Sequence, residues 1–309
     1  MSTKYEKHGA LHVDTKGKLV DHLGEVVTLH GMSTHGLSWY PEYVNREFFE
    51  FMKKEWHIDV VRLAMYTAEE DGYCVGDEDN KKKLLDVIDR GIKAATELGL
   101  YVIVDWHILA DSNPLMNKDD ALKFWDYISK TYSSYGNIIY EICNEPNVDC
   151  TWDDIKTYAN EVIAVIRKND PYAVILVGTC FWSQRLEYVM EDPLKCDRNI
   201  MYVLHFYANT HIELKQTLEN AVKSGLPVFV SEFGTCSADG SGNHNAKEAD
   251  EWIKLMDDYD ISYCMWNISN RDETSASFVP ECDKYTGGFV ESDLREPMKW
   301  YVKVLDDHK

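Results

Sequence analysis

The chain has no apolar run approaching the ~20 residues that span a bilayer, and its first residues, MSTKYEKHGALHVD, hold no hydrophobic export-signal core. The expectation is a cytoplasmic protein or a mature module whose export signal has been removed. No CxxC pair occurs among the eight cysteines (Cys74, Cys143, Cys150, Cys180, Cys196, Cys236, Cys264, Cys282), which argues against a zinc site or redox motif. Cys143, Cys180 and Cys264 lie in or beside apolar runs, where small buried thiols are the default; their pairing and redox compartment stay open. No Gly-rich phosphate loop follows an early strand, which disfavours a doubly wound sheet. No Pro/Gly/Ser-rich linker divides the chain, so residues 1–309 read as one domain. Basic residues are scarce: 32 Lys and Arg against 53 Asp and Glu leave a net charge of −21. Such a surface repels nucleic-acid phosphates and anionic polysaccharides alike, and leaves neutral polymers untouched.

What is present is apolar and periodic. Apolar residues make up 45% of the 309, enough for a sizeable core. Continuous β-branched runs recur at 26–36, 60–66, 101–107, 138–146, 174–179, 201–207, 227–234 and 261–269. Continuity rather than alternation suits parallel strands covered on both faces. Amphipathic stretches separate them at 45–56, 80–98, 119–132, 152–168, 211–224, 245–259 and 294–306. After the fifth strand there is room for a short helix at most, before Pro193. Asp79 or Asn80 is expected to cap the second helix, which Gly99 ends. Eight strand–helix alternations predict an α/β fold, a (β/α)8 TIM barrel, and residues 11–24 a small hairpin plugging its bottom.

Such barrels pack their interior and keep chemistry at the C-terminal ends of the strands. Those ends are polar here: His30 and His35; Arg62 and Tyr66; Asp105, Trp106 and His107; Asn144 and Glu145; His205 and Tyr207; Glu232; Trp266. A lone buried polar group without a partner costs about 1–3 kcal/mol, so a set converging on one rim argues for function. His30 is read as a satisfied scaffold residue, and Ile138 to Ile142 as apolar wall. Glu145 and Glu232 end strands four and seven in near-identical settings, across the barrel mouth. Two opposed carboxylates within about 5–6 Å are what retaining glycoside hydrolysis requires, one as acid and one facing the anomeric carbon. Arg62 is expected to keep Glu232 ionised, apolar walls to keep Glu145 protonated, and Asn144 to bond the sugar's 2-OH. Nine Trp and nineteen Tyr supply flat faces of the kind that stack on sugar rings, although most belong in the core.

In order and spacing, VRLAMY, DWH, NEP, HFY, SEFG and MWN resemble the family 5 glycoside hydrolases of clan A, in particular the bacterial endo-β-1,4-glucanase (cellulase) branch. The likeness runs from about residue 25 to the end. It implies a retaining hydrolase of internal β-1,4-glucosidic bonds, with Glu145 as acid/base and Glu232 as nucleophile. It places Arg62, His107, Asn144, His205 and Tyr207 around the sugar at the point of cleavage, and Tyr66, where strand two ends, is a further candidate for binding substrate. His35, Trp39 and Trp266 fall on the glycone side and Trp182 on the acceptor side. In NISNRDE the family pairs a Lys with a Glu on the distal sugar; here Arg271 stands beside Glu273, with a different shape and donor set. The implied partner is a β-glucan polysaccharide or oligosaccharide, bound by a secreted monomer with no metal, other cofactor, nucleic acid or membrane.

Other readings stay open: a mannanase, xyloglucanase or mixed-linkage glucanase on the same fold, a sugar-binding module without catalysis, or a metal-dependent barrel hydrolase. The last would draw three ligands from His30, His35, Asp105, His107 and His205.

Overall fold

The computed structural model describes residues 2–195 and 198–309, so the thiol of Cys196 lies outside the described residues. Two short antiparallel strands, β1 (His12–Val13) and β2 (Leu19–Val20), form the expected hairpin. Eight parallel strands then close into a barrel in chain order: β3 (His30–Thr34), β4 (Val60–Tyr66), β5 (Tyr101–His107), β6 (Ile138–Glu141), β7 (Val174–Val177), β8 (Ile200–Tyr207), β9 (Val228–Gly234) and β10 (Tyr263–Ile268). Around them lie α2 (Arg46–Glu55), α3 (Glu78–Leu98), α4 (Lys118–Thr131), α5 (Trp152–Asn169), α8 (Leu214–Lys223), α9 (Ala246–Asp258) and α10 (Glu296–Asp307). Between β7 and β8 the chain makes two short pieces, α6 (Cys180–Ser183) and α7 (Leu186–Glu191), as the weak periodicity there predicts. A short α1 (Lys4–His8) opens the chain, closed by a reciprocal cap between Thr3 and Glu6; five residues are too few for periodicity to reveal.

Side-chain parity divides the strands into an outer and an inner set. Val61, Leu63, Val102, Val104, Tyr140 and Ile175 pack outward on the helices. Val60, Tyr101, Ile103, Ile139, Leu176, Met201, Val203 and Phe229 fill the barrel, and Leu11 and Leu19 of the hairpin region join them from below. The inner apolar layer stops there. The next inward positions are Arg62, Asp105, Glu141, His205 and Ser231, all buried.

Three local expectations are corrected. The cap of α3 is Asp77, whose side chain accepts from the Asn80 N–H, two residues before Asp79 and three before Asn80. The fourth strand pairs regularly only to Glu141, although the Asn144 and Glu145 N–H groups still bond the Trp106 and Ile108 carbonyls. His30 begins β3 rather than ending a strand, so it belongs to the opposite mouth of the barrel from the carboxylates.

Gly31 pairs with Val60 so closely that a β-carbon would stand 1.9 Å from the Val60 carbonyl oxygen. That neighbour is backbone and cannot rotate away. Gly31→Ala is therefore expected to cost at least about 1–3 kcal/mol, read as a lower urea midpoint; an unchanged midpoint would contradict this packing.

Candidate active site

An irregularity in β9 builds half of the site. Val203 of β8 pairs with Phe229, but His205 pairs with Glu232, so β9 carries one extra residue between the two. A bulge of this kind re-aims side chains. Phe229 faces the interior and Phe233 the helices, while both Ser231 and Glu232 reach groups inside the barrel.

Arg62 lies at the centre, fully buried. Its Nε and Nη2 donate to the two Glu141 carboxylate oxygens at 2.7 and 3.1 Å. Nη1 donates to Glu232 Oε2 at 3.0 Å and to Ser33 Oγ at 3.2 Å. Nη2 also reaches Asp105 Oδ2 at 3.0 Å and Asn144 Oδ1 at 2.6 Å. Glu141 thus overturns the reading of residues 138–142 as apolar wall. It shares parity with Ile139, and a charged residue at an inward position, opposite an inward Arg, was the available signal.

One guanidinium cannot neutralise all the carboxylates around it. Asp105 is pushed up to about 7 by burial, only partly relieved by Arg62. Burial raises Glu141 as well. Glu145 is held well above the usual carboxylate range by burial and by the charge of Glu232. Burial also raises Glu232, but Arg62 and the Tyr207 hydroxyl, which donates to its Oε1 at 2.9 Å, oppose that rise. The Arg62 contact and the Tyr207 bond therefore place the negative charge on Glu232 and leave the proton with Glu145.

A chain of hydrogen bonds leads away from Glu145. Its Oε1 lies 2.9 Å from His205 Nδ1, and His205 Nε2 lies 2.9 Å from Ser231 Oγ. The Ser231 hydroxyl donates to Glu141 Oε1 at 2.6 Å. Glu141 can only accept, so Ser231 must accept from His205 Nε2–H. That leaves Nδ1 as the acceptor for a proton on Glu145. Burial pushes His205 far below its ordinary value, which keeps the ring neutral. His107 is fixed in the same way: the Asn144 amide faces its Nε2 at 3.2 Å, and Nδ1 faces Asp105 Oδ2 at 2.5 Å. Burial, with Arg62 nearby, lowers His107 to about 3.

The remaining predicted residues divide by depth. Glu145, Glu232, His205 and Tyr207 face a cleft of about 690 Å³, together with His35, Trp39, Tyr66, His107, Trp182, Trp266, Arg271 and Glu273. Arg62 and Asn144 do not line it and lie beneath its floor. Asn144 spends its amide on the Ile108 carbonyl and His107, and its oxygen on Arg62.

On one side Trp39, Tyr66 and Trp266 crowd around His35 and His107, with Trp39 and Tyr66 4.7 Å apart and His107 stacked 5.3 Å from Trp266. Arg271 pairs with Glu273 at 3.0 Å on this side. Trp182 stands at the other side, half-exposed, on three successive left-handed residues with φ of 53°, 57° and 56° (Phe181, Trp182, Ser183). Non-glycine residues resist that conformation by about 1–2 kcal/mol each. Here the Trp182 N–H on the Pro146 carbonyl and the Ser183 hydroxyl on the Asn144 carbonyl hold it.

The sequence reading missed Glu69, Leu109, Gln184, His211, Ala238, Asp239 and Gly240, which also line the cleft from loops without periodicity. It also grouped His30 with the metal candidates, which the fold separates. An oxygen of Glu145, an oxygen of Glu232 and a nitrogen of His205 lie within 4.8 Å of one another. Glu145 Oε1 already meets His205, and the Glu232 oxygens already meet Arg62 and Tyr207.

A family model described as cellulase (glycosyl hydrolase family 5) matches residues 20–272. The chain is 48% identical over its whole length to endoglucanase A of Butyrivibrio fibrisolvens, of which it spans 71%, and 42% identical over 88% of its length to endoglucanase A of Evansella cellulosilytica, of which it spans 54%. It thus covers between about half and seven tenths of these curated relatives. The catalytic domain of Thermobifida fusca endoglucanase Cel5A superposes with a TM-score of 0.92 at 38% identity, covering 99% of this chain and all of that one. A variant of that domain has been solved in complex with cellotetraose.

The raised Asp105 has a stability signature. The folded chain keeps a proton there that the unfolded chain releases near 3.8, so this contribution is complete at low pH and fades as pH rises through about 7. Between about pH 4.5 and about pH 7, the interval between the two values, urea denaturation is expected to show wild type losing stability more steeply than Asp105→Asn. Equal slopes would contradict the assignment.

Proposed function

The chain belongs to glycosyl hydrolase family 5, and we propose that it is a retaining, endo-acting β-1,4-glucanase that cuts neutral β-glucan chains laid along the cleft. The observation that carries the stereochemistry is the approach of Glu145 and Glu232 oxygens to within 4.8 Å. Retaining enzymes hold their carboxyl groups about 5–5.5 Å apart, whereas inverting ones need about 6.5–9.5 Å to admit a water.

In the first step the ionised Glu232 attacks the anomeric carbon while Glu145 gives its proton to the departing glycosidic oxygen. The C–O bond to the leaving sugar breaks and a glycosyl ester forms on Glu232. Glu145, now an anion, takes a proton from water, whose oxygen attacks the same carbon and releases Glu232. Arg62 and Tyr207 act on Glu232 by stabilising its charge, and His205 orients the Glu145 proton. Arg62 and Asn144 position these groups from below, because their polar atoms are spent on one another and on the carboxylates. The aromatic cup of Trp39, Tyr66 and Trp266 suits the apolar faces of equatorial pyranose rings, and Trp182 gives the acceptor side a platform.

Besides the two carboxylates, aromatic residues line the cleft, Trp39, Trp182 and Trp266 among them, which supports binding of several sugars and hence internal cleavage, and the acidic lining supports a neutral polymer. Residues 1–309 read as one catalytic unit acting as a monomer, since one barrel supplies every group named. Polymeric β-glucan does not cross membranes, so the reading implies action outside the cell.

Glu145→Ala and Glu232→Ala are each expected to leave less than about a tenth of wild-type kcat, a loss of more than ~1.4 kcal/mol, with oligosaccharide binding retained; a variant keeping more would overturn its role. Initial rates on carboxymethyl-cellulose, barley β-glucan, xyloglucan and mannan rank the substrate, and a tenfold mannan preference would overturn the glucanase assignment. Tyr207→Phe removes a hydrogen bond that favours the Glu232 anion, so the acid limb of kcat/KM against pH is expected to move upward; an unmoved limb would contradict that role.

A further inference from the structure

His30 is a poor scaffold residue by its own contacts. It is buried at the start of β3, and its Nδ1 has no hydrogen-bond partner. A buried polar atom left unpaired costs about 1–3 kcal/mol and calls for an explanation. The ring lies between Tyr263, 4.5 Å away and stacked, and His308, 4.3 Å away and edge-on.

His308 follows the last turn of α10. Its Nδ1–H donates to the Val304 carbonyl at 2.7 Å, which leaves Nε2 as the free lone pair. That lone pair does not face a donor. It faces Asp257 Oδ2, on the last turn of α9, at 3.1 Å. Two acceptors at this separation need a cation between them, a proton or a metal.

The third ligand is already close. One nitrogen from each histidine and one Asp257 oxygen lie within 4.8 Å of one another. The negative ends of two helices, α9 and α10, meet at this point, which favours a cation further. A His ligand whose other nitrogen donates to a backbone carbonyl is the usual supporting arrangement for a bound metal, because it fixes the tautomer.

We propose that His30, Asp257 and His308 form a divalent transition-metal site of the zinc type at the closed end of the barrel, away from the carboxylate cleft. Two imidazoles and one carboxylate suit Zn2+ better than Ca2+ or Mg2+, which prefer oxygen cages, and leave a fourth position for water. The bound ion would staple the ends of α9 and α10 to the first barrel strand, a role in stability rather than catalysis. It is independent of the proposed hydrolase chemistry.

The test is calorimetric titration of chelator-treated, desalted protein with Zn2+ alone near neutral pH, with Ca2+ in parallel and the thermal midpoint as a second readout. One saturable Zn2+ site and a raised midpoint are expected. Affinity should fall at least tenfold in His30→Gln and in His308→Ala, and stay unchanged in Glu145→Gln and in Glu25→Gln, each of which removes a ligand from one of the two other clusters of similar spacing among the described residues. His308 is half-buried at the chain end, so its variant tests the site even if His30→Gln folds poorly. No saturable Zn2+ binding would leave the proton as the only cation and overturn the proposal. Undiminished affinity in His308→Ala, loss in Glu145→Gln or Glu25→Gln, or equal binding of Ca2+ would overturn it as well.

Discussion

Arg62 is fully buried and shared among Asp105, Glu141 and Glu232, and the upper half of the barrel is arranged around that sharing. A buried guanidinium with no partner is prohibitively costly, and so is each carboxylate. Together they persist because every Arg62 donor is used and because the cluster need not be fully ionised. Burial leaves protons on members whose desolvation Arg62 does not fully offset, Asp105 among them. The division of labour between Glu145 and Glu232 follows from the same arithmetic. Arg62 touches Glu232 and not Glu145, so the negative charge and the proton separate onto the two groups that the proposed reaction needs in those states.

The network also turns geometry into direction. Glu141 is an obligate acceptor once it is paired with Arg62, which makes Ser231 a donor toward it and His205 a donor toward Ser231. Nδ1 of His205 is left facing Glu145 as a lone pair. A residue four positions before the proposed acid therefore fixes where the Glu145 proton points. None of this would hold with regular pairing in β9, since the extra residue is what brings Ser231 and Glu232 to the same side of the sheet.

The barrel was legible because burial on both faces leaves continuous β-branched runs, and the lengths of those runs are set by the strands. Glu145 and Glu232 were legible because a carboxylate at the end of such a run has few structural reasons to be there. Glu141 was not, because one charged residue inside IIYEI looks like noise until its inward parity is set beside that of Arg62. The bulge in β9 leaves no trace in SEFG, since pairing register is a property of two strands and not of one. Gln184, His211 and Asp239 lie on loops, where no period constrains side-chain direction. His30 shows the limit of counting strand ends: it sits at the right strand but at the wrong end.

The central claim is that Arg62 and Tyr207 make Glu232 the anion that attacks the sugar. It is tested most directly by trapping the glycosyl ester. Incubation with a 2-deoxy-2-fluoro cellobioside bearing a dinitrophenolate leaving group, followed by digestion and peptide mass spectrometry, reports where the sugar is attached. The account predicts a single label on the Glu232 carboxylate. A label on Glu145 or Glu141, or turnover with inverted product and no label, would contradict it.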